Sequence, residues 1–277
     1  MQFIYRFEAM TTPCEVILFS KDKIKANKTA KAILHEAKRL EKKYNYFDPT
    51  SYLSILNRRE KSTIDNETIQ LLKKAINFYR KTEKVFDITV GTFKDIYKYS
   101  YTIKELQCKK DRFLPYVGCE HIKLKKDRLY FDNPYTKIDL GGFIKEYAVD
   151  RATHIIRKNK ISSALVNFGG DLFALGKKPN GEKYKIGIKD PNDRTKFATF
   201  VEIENQALTT SASYERNITI ENDIYSHIIS PFTDNIPITK SISVISCTCL
   251  ESGVYSTTLM IDNHIKLSSN IEVIINY

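Results

Sequence analysis

The segment of the chain with the clearest capacity for chemistry runs from Thr136 to Asp150, TKIDLGGFIKEYAVD. It predicts a short apolar strand over 137–140, then two glycines, then a helix whose apolar residues recur every three or four positions. Glycines at such a junction let a ligand approach the backbone, and the free N–H groups of a new helix favour an anion. Asp139 and Lys145 are the charged groups beside them. One interpretation is a phosphate-bearing ligand; the other is a tight turn with a solvated lysine.

Two further segments place polar side chains at predicted turns. In FDITVG, residues 86–91, Asp87 and Thr89 are two positions apart in an extended pattern and therefore face the same way. They either hold a polar ligand or satisfy a turn. In NFGGD, residues 167–171, a strand ends in Gly-Gly-Asp, which suits a ligand that meets the backbone or a tight β-turn.

The candidate catalytic base is His227, which sits where a strand pattern meets Pro231, whereas His35 and His154 lie in helical patterns. A single histidine without a metal-spaced partner is either a general base or a satisfied structural residue. The hydroxyl-rich segment 209–216, TTSASYER, could contact phosphate or adenine, or could simply be a loop.

The elements that must position these residues follow an order typical of an α+β fold. Helical periodicity predicts helices over 24–44, with a second from Asn66 to about Lys84 and candidate caps at Asp65 or Asn66, and a last one over 253–260. Residues 85–93 suggest an extended segment or a turn, and 121–124 with 128–131 suggest a hairpin. Further strands are expected at 14–20, 163–168, 172–175, 183–189, 198–203, 218–220, 241–246 and 271–276. We expect one domain over 1–277, with a possible subdivision near 100–120.

Composition limits the classes of partner. The chain has 277 residues, 42% hydrophobic and 28% charged, as expected for a globular protein, and a net charge of +11 suits acidic ligands such as nucleotides. The lysines are spread along the chain rather than grouped with aromatics on one element, which argues against a nucleic-acid binder.

The compartment is predicted from the N-terminus and the cysteines. No apolar run reaches the roughly 20 residues that span a bilayer. Arg6 and Glu8 interrupt what would be the apolar core of a signal peptide, so we expect a cytoplasmic protein as written, or a periplasmic one if the N-terminus has been trimmed. Five cysteines without a C-x-x-C spacing argue against a disulfide framework or a zinc site, and Cys247 and Cys249 are expected on one face of a strand.

Taken together and in this order, the segments resemble the ApbE-type flavin transferases, the FAD:protein FMN transferases. The matching segments are 10–12 (MTT), 51–57 (SYLSILN), 86–91 (FDITVG), 139–150 (DLGGFIKEYAVD), 164–171 (ALVNFGGD), 210–215 (TSASYE) and 227–233 (HIISPFT). Each segment is short, but their joint order spans nearly the whole chain.

The resemblance implies an α+β architecture related to the T-fold and a Mg²⁺-assisted transfer of FMN from FAD to a Thr hydroxyl of an acceptor flavoprotein, with release of AMP. By position, the residues that contact FAD are expected to be Met10, Asp87, Thr89, Asp139, Lys145 and Ile228. The Gly142 carbonyl and Thr257 are expected to bind the metal, and His227 to act as the base. Alternatives are a chain that binds FAD or FMN without transfer, or a FAD pyrophosphatase that releases FMN and AMP.

The chain departs from the family pattern at the metal. The family's A-D-A-x-x-T aligns with Ser252–Thr257, so that Gly253 stands where the carboxylate is expected. Loss of a hard anionic ligand should weaken Mg²⁺ binding. Glu251 or Asp171 could substitute, and Gly253→Asp is expected to raise Mg²⁺ affinity or activity. Family glycines are also replaced at Thr11, Glu146 and Ala212.

Overall fold

The computed structural model describes residues 1–193, 195–213, 217–226, 228–231, 239–267 and 269–276. Its helices are α1 (Lys23–Tyr44), α2 (Tyr52–Asn57), α3 (Asn66–Lys81), α4 (Gly91–Lys98), α5 (Ile103–Phe113), α6 (Gly141–Lys158) and α7 (Cys249–Ile261), with short 3-10 turns at Leu114–Tyr116 and Cys119–His121. Its strands are β1 (Gln2–Ala9), β2 (Thr12–Phe19), β3 (Ile122–Lys125), β4 (Arg128–Phe131), β5 (Ser163–Phe168), β6 (Asp171–Leu175), β7 (Tyr184–Lys189), β8 (Phe197–Ile203), β9 (Gln206–Ala212), β10 (Asn217–Ile220), β11 (Asp223–Ser226), β12 (Ser241–Ser246) and β13 (Glu272–Asn276).

The centre of the fold is an antiparallel sheet in the order β1-β2-β5-β6-β9-β12-β13. Strands from both ends of the chain therefore join one sheet. The helices segregate from this sheet rather than alternating with parallel strands, so the α+β class is confirmed. Within the described residues, no helix combines the length and the apolar content needed to cross a membrane.

Both faces of the sheet are covered, and β6 shows how. Phe173 and Leu175 point into a large core with α1 and α6, while Leu172 and Ala174 pack beneath the β7–β8 hairpin. Alternate residues of a strand face opposite sides, so this strand is buried on both. Helix α6 packs against α1, α7, β5 and β6, which makes its first turn the meeting point of several elements.

The predictions with strong periodicity or a cap are confirmed. Helix α1 occupies the predicted range, and α3 is capped by Asp65, whose side chain accepts a hydrogen bond from the Thr68 N–H at 2.9 Å. The β3–β4 hairpin and the helix that follows the two glycines are also present.

Two local predictions are wrong, because contacts with distant parts of the chain fix the backbone. Segment 137–140 is not a strand: it makes one isolated bridge from Lys137 to Val90 and one backbone bond from the Asp139 N–H to the Ile88 carbonyl, and the backbone of Ile138 bonds to a side chain. The loop alternative for the hydroxyl-rich segment is wrong as well, because residues 209–212 belong to strand β9. For residues 85–93 the turn alternative is confirmed, and α4 starts at Gly91.

Of the predictions about the cysteines, one is confirmed and one is wrong. All five are free thiols, as predicted, and all lie in the described part of the chain. The prediction that Cys247 and Cys249 share a strand face is wrong, because Thr248 caps α7 and Cys249 begins that helix. Cys249 is buried and Cys247 is exposed.

Asp150 on α6 fixes the position of α7. Its carboxylate accepts hydrogen bonds from the backbone N–H groups of Cys249 at 2.8 Å and Leu250 at 3.1 Å. These are donors that a helix start leaves without intrahelical partners. Burial raises the pKa of Asp150 to about 6, although the two hydrogen bonds lower it.

We predict that Asp150→Ala lowers the free energy of unfolding by about 1–3 kcal/mol, because two buried N–H groups lose their acceptor. The folded pKa lies above the ordinary value near 4, so the folded state binds this proton more tightly than the unfolded state does. The stability advantage of the parent chain should therefore be largest near pH 4 and shrink as the pH rises through 6. Urea unfolding at several pH values, with the exposed Asp127→Ala as control, measures this; a gap that widens with pH would contradict it.

Candidate functional site

A cavity of about 860 Å³ opens beside the first turn of α6. The start of α6, the β1–β2 turn, β9 and α7 all contribute to its wall. Of the site residues predicted from the sequence, those that line the cavity are Met10, Asp87, Asp139, Gly142, Lys145, Ile228 and Thr257. Residues far apart in sequence are thus brought around one space large enough for a dinucleotide-sized ligand.

The two glycines shape the floor of this cavity. Gly142 has φ −90° and ψ 24°, which distorts the first turn of α6, and a Cβ built on it would meet nothing within 4 Å. The Asp139 carboxylate accepts a hydrogen bond from the Gly141 N–H at 2.9 Å and also pairs with Lys94. Asp139 therefore holds the helix start in place, and open space lies in front of the backbone at Gly142.

A buried charge cluster lies next to this helix start. Lys145 Nζ is 2.6 Å from Asp171 Oδ2, and Asp171 is 1% exposed. Glu146, 6% exposed, lines the same cavity. Burial, and to a smaller extent the negative charge of Asp171, raises the pKa of Glu146 to about 8. Two carboxylates therefore share this region with the ammonium group of Lys145.

Comparison with known proteins decides the family. A profile of the ApbE family matches residues 10–273. The chain belongs to the ApbE family. An FAD:protein FMN transferase of Chlamydia pneumoniae is 28% identical over 78% of this chain and 71% of its own length. One of Vibrio cholerae is 26% identical over 76% of this chain and 66% of its own length.

A solved structure gives the same assignment. The crystal structure of an ApbE protein from Thermotoga maritima superposes with a TM-score of 0.89 at 26% sequence identity, and the match covers 99% of this chain and 94% of that one. The ApbE-like architecture expected from the sequence is confirmed.

In this ApbE chain, the side chain of Asp87 bonds to Thr89. Asp87 Oδ1 accepts hydrogen bonds from the N–H and the hydroxyl of Thr89, both at 2.7 Å, and the Thr89 hydroxyl accepts one from the Gly118 N–H at 2.6 Å. The turn alternative describes these contacts. Thr89 is fully buried and is absent from the described residues that line the cavity, whereas Asp87 is one of them.

The β1–β2 turn carries backbone strain into the site. Met10 and Thr11 both have positive φ, 54° and 57°, a conformation that β-branched Thr rarely adopts. The Met10 N–H donates a hydrogen bond to Glu41 at 2.6 Å. Thr12 lies so close to Gly169 that a Cβ there would be 2.0 Å from its hydroxyl oxygen. The two turns are therefore locked together at the cavity.

Sequence reasoning missed the aromatic and cationic wall. Lys94 Nζ lies 5.0 Å from the ring centre of Tyr46 and 4.6 Å from that of Phe47. The Tyr46 hydroxyl donates a hydrogen bond to the Gly91 carbonyl at 2.9 Å. The only signal for these residues was the aromatic-rich break after α1. Because Lys94 also pairs with Asp139, this wall is continuous with the glycine turn.

The far side of the cavity comes from β9 and α7. Ser211 bonds to the hydroxyls of Ser256 at 2.8 Å and Thr257 at 3.3 Å, and Thr257 lines the cavity. Ile228 lines it as well and packs on a core formed with α7. The predicted base, His227, lies outside the described residues, so its role stays a prediction.

Asn57 is a positioning residue that the sequence did not single out. Its side-chain N–H donates to the Ile138 carbonyl, and its oxygen accepts from the Ile138 N–H, both at 2.8 Å. At Ile138, the side-chain amide of Asn57 thus makes the two backbone hydrogen bonds that a neighbouring strand would make. The sequence feature that could have identified Asn57 is its position at the end of the 51–57 motif.

We predict that Asn57→Ala lowers the free energy of unfolding by about 2 kcal/mol or more, because it strands a buried donor and a buried acceptor. Hydrogen exchange of residues 137–141 should rise at the same time. The exposed Asn66→Ala is the control. Unchanged stability and unchanged exchange in Asn57→Ala would show that the glycine turn is held by other contacts.

Proposed function

We propose that this chain is an FAD:protein FMN transferase. It moves FMN from FAD to a Thr hydroxyl of an acceptor flavoprotein and releases AMP. The observation that carries the proposal is the cavity in which the glycine start of α6, Lys145 and Asp139 face one space. Family membership and the activity named for the relatives support the same conclusion.

The cavity offers a separate feature for each part of FAD. The open backbone at Gly142 and the Lys145 ammonium suit the pyrophosphate, since a helix start and a lysine both favour phosphate oxygens. The aromatic side chains that line the cavity suit the planar flavin and adenine rings. They are Tyr44, Tyr46, Phe47, Phe86, Tyr97, Tyr101 and Phe143.

The reaction forms one P–O bond and breaks another. The acceptor oxygen bonds to the phosphorus of the FMN half, the pyrophosphate P–O bond breaks, and AMP leaves with the bridging oxygen. The acceptor hydroxyl gives up its proton, for which we propose His227 as base. Lys145 offsets the negative charge that collects on the phosphate oxygens.

We include Mg²⁺ in the proposal because the site has a donor suited to a hard cation. Glu146 Oε2 is buried and makes no hydrogen bond within the described part of the chain. The Gly142 carbonyl and the Thr257 hydroxyl are the other proposed ligands. When bound, Mg²⁺ supplies further charge neutralisation on the phosphates.

The activity is tested with FAD, Mg²⁺ and an acceptor protein that carries the family's Thr flavinylation motif. We expect flavin fluorescence on the acceptor after a denaturing gel. An acceptor with Thr→Ala in its motif is the control. Tight FAD binding without labelling would instead indicate a chain that only binds flavin, and AMP release without labelling would indicate a pyrophosphatase.

We predict that Lys145→Ala weakens FAD binding at least about tenfold, because a phosphate loses its cation and Asp171 loses its ion-pair partner. Isothermal titration with FAD measures the affinity. Lys158→Ala, which removes an exposed lysine at the other end of α6, should bind FAD like the parent chain. Equal affinity of Lys145→Ala and the parent would remove Lys145 from the pyrophosphate site.

A further inference from the structure

The space beside Gly253 is filled by the side chain of Glu146. A Cβ built on Gly253 would lie 2.4 Å from Cγ of Glu146 and 3.1 Å from its Cδ. No real Cβ approaches another carbon so closely, so a residue larger than glycine at 253 and the observed Glu146 side chain exclude each other. The two departures from the family pattern, at positions 146 and 253, are therefore coupled: Glu146 occupies the space that a side chain at 253 would need.

The carboxylate of Glu146 is buried and lies on the wall of the cavity, a position suited to a metal ligand. It is 6% exposed, and its Oε2 receives no hydrogen bond from an N–H group of the described residues; the group it interacts with is the carboxyl group of Asp171. Two carboxyl groups buried side by side are costly, and a bound cation removes that cost. The half-exposed Lys145 is already within 2.6 Å of Asp171.

We propose that Glu146 is the metal-binding carboxylate of this chain and takes the role of the carboxylate that is missing at Gly253. The proposal rests on the proposed function and names the ligand of its cation. The carboxylate has moved from α7 to the facing side of α6, and it reaches the same cavity as Thr257 and Gly142.

The donor set suits Mg²⁺. Glu146, the Thr257 hydroxyl and a backbone carbonyl are all oxygen donors, and Mg²⁺ is commonly held by one or two carboxylates together with substrate phosphates. Within the described residues, no group of three or more His, Cys, Asp or Glu side chains gathers into a metal centre. With FAD bound, its phosphate oxygens would supply further oxygen donors.

The structure also bears on Glu251 and Asp171, the two residues considered from the sequence as replacements for the missing metal-binding carboxylate. Glu251 is not among the described residues that line the cavity, whereas Glu146 and Asp171 are. Asp171 is engaged by Lys145. From the sequence we expected Gly253→Asp alone to improve Mg²⁺ binding. We now expect no improvement, because the new side chain would collide with Glu146.

Metal binding is measured with Mn²⁺ as the probe, by the loss of the free Mn²⁺ resonance signal, on the chain alone and with FAD bound. Glu146→Gln keeps the side-chain volume and removes the charge. We expect it to weaken Mn²⁺ binding at least about tenfold. Its thermal midpoint without metal should equal or exceed that of the parent, because a neutral amide of the same volume replaces a buried ionisable group.

Two further variants separate metal binding from packing. Gly253→Asp should lower the thermal midpoint without improving Mn²⁺ affinity. Glu146→Gly combined with Gly253→Asp should restore both, because the carboxylate is then supplied from α7 into the space that Glu146 vacates. Glu251→Gln, on the first turn of α7, is the matched control and should bind Mn²⁺ like the parent.

The inference and the proposed function fail separately. Equal Mn²⁺ affinity of Glu146→Gln and the parent, with and without FAD, overturns the role of Glu146 even if flavin transfer is observed. Absence of Mn²⁺ binding by the parent under both conditions overturns it as well. Loss of binding in Glu146→Gln with rescue in the double variant supports it, whatever the transfer assay shows.

Discussion

Two buried carboxylates beside the ammonium of Lys145 are the constraint around which this structure is arranged. Glu146 and Asp171 lie under the first turn of α6, with 6% and 1% of their surface exposed. Such groups are tolerated only where the surroundings supply compensating charge. The fold supplies Lys145 from the same helix turn and leaves a cavity in front of it. This cavity is where we propose that a cation and the FAD phosphates bind.

The packing around α6 makes this arrangement possible. Asp150 on one side of the helix accepts hydrogen bonds from the start of α7, which holds α7 beside it. Gly253 then gives Glu146 the room to lie between the helices. On the cavity side, Asp139 binds the Gly141 N–H, so that the helix start is held by a side chain as well as by the sheet. Stability and ligand geometry are supplied by the same contacts.

Several features at the site are locally unfavourable and make sense only through their neighbours. Thr11 has positive φ although a family glycine is expected there, and the turn that contains it packs against Gly169. Thr89 is buried with its hydroxyl bonded to Gly118 and Asp87. Such exceptions to local preference cluster at functional sites, where the surrounding structure determines the conformation.

The sequence by itself determined the family, the α+β class and the long periodic elements, because helix α1, the capped helix α3 and the β3–β4 hairpin depend on local pattern and turn chemistry. It also named most of the residues that line the cavity. Only the tertiary structure showed that the backbone of Ile138 is bonded to Asn57 rather than to a strand, since a side chain 81 positions away supplies those two hydrogen bonds. Only the tertiary structure joined Glu146 to Gly253. The two substitutions are more than a hundred residues apart in sequence, but helices α6 and α7 bring them so close that a Cβ built on Gly253 would lie 2.4 Å from Cγ of Glu146.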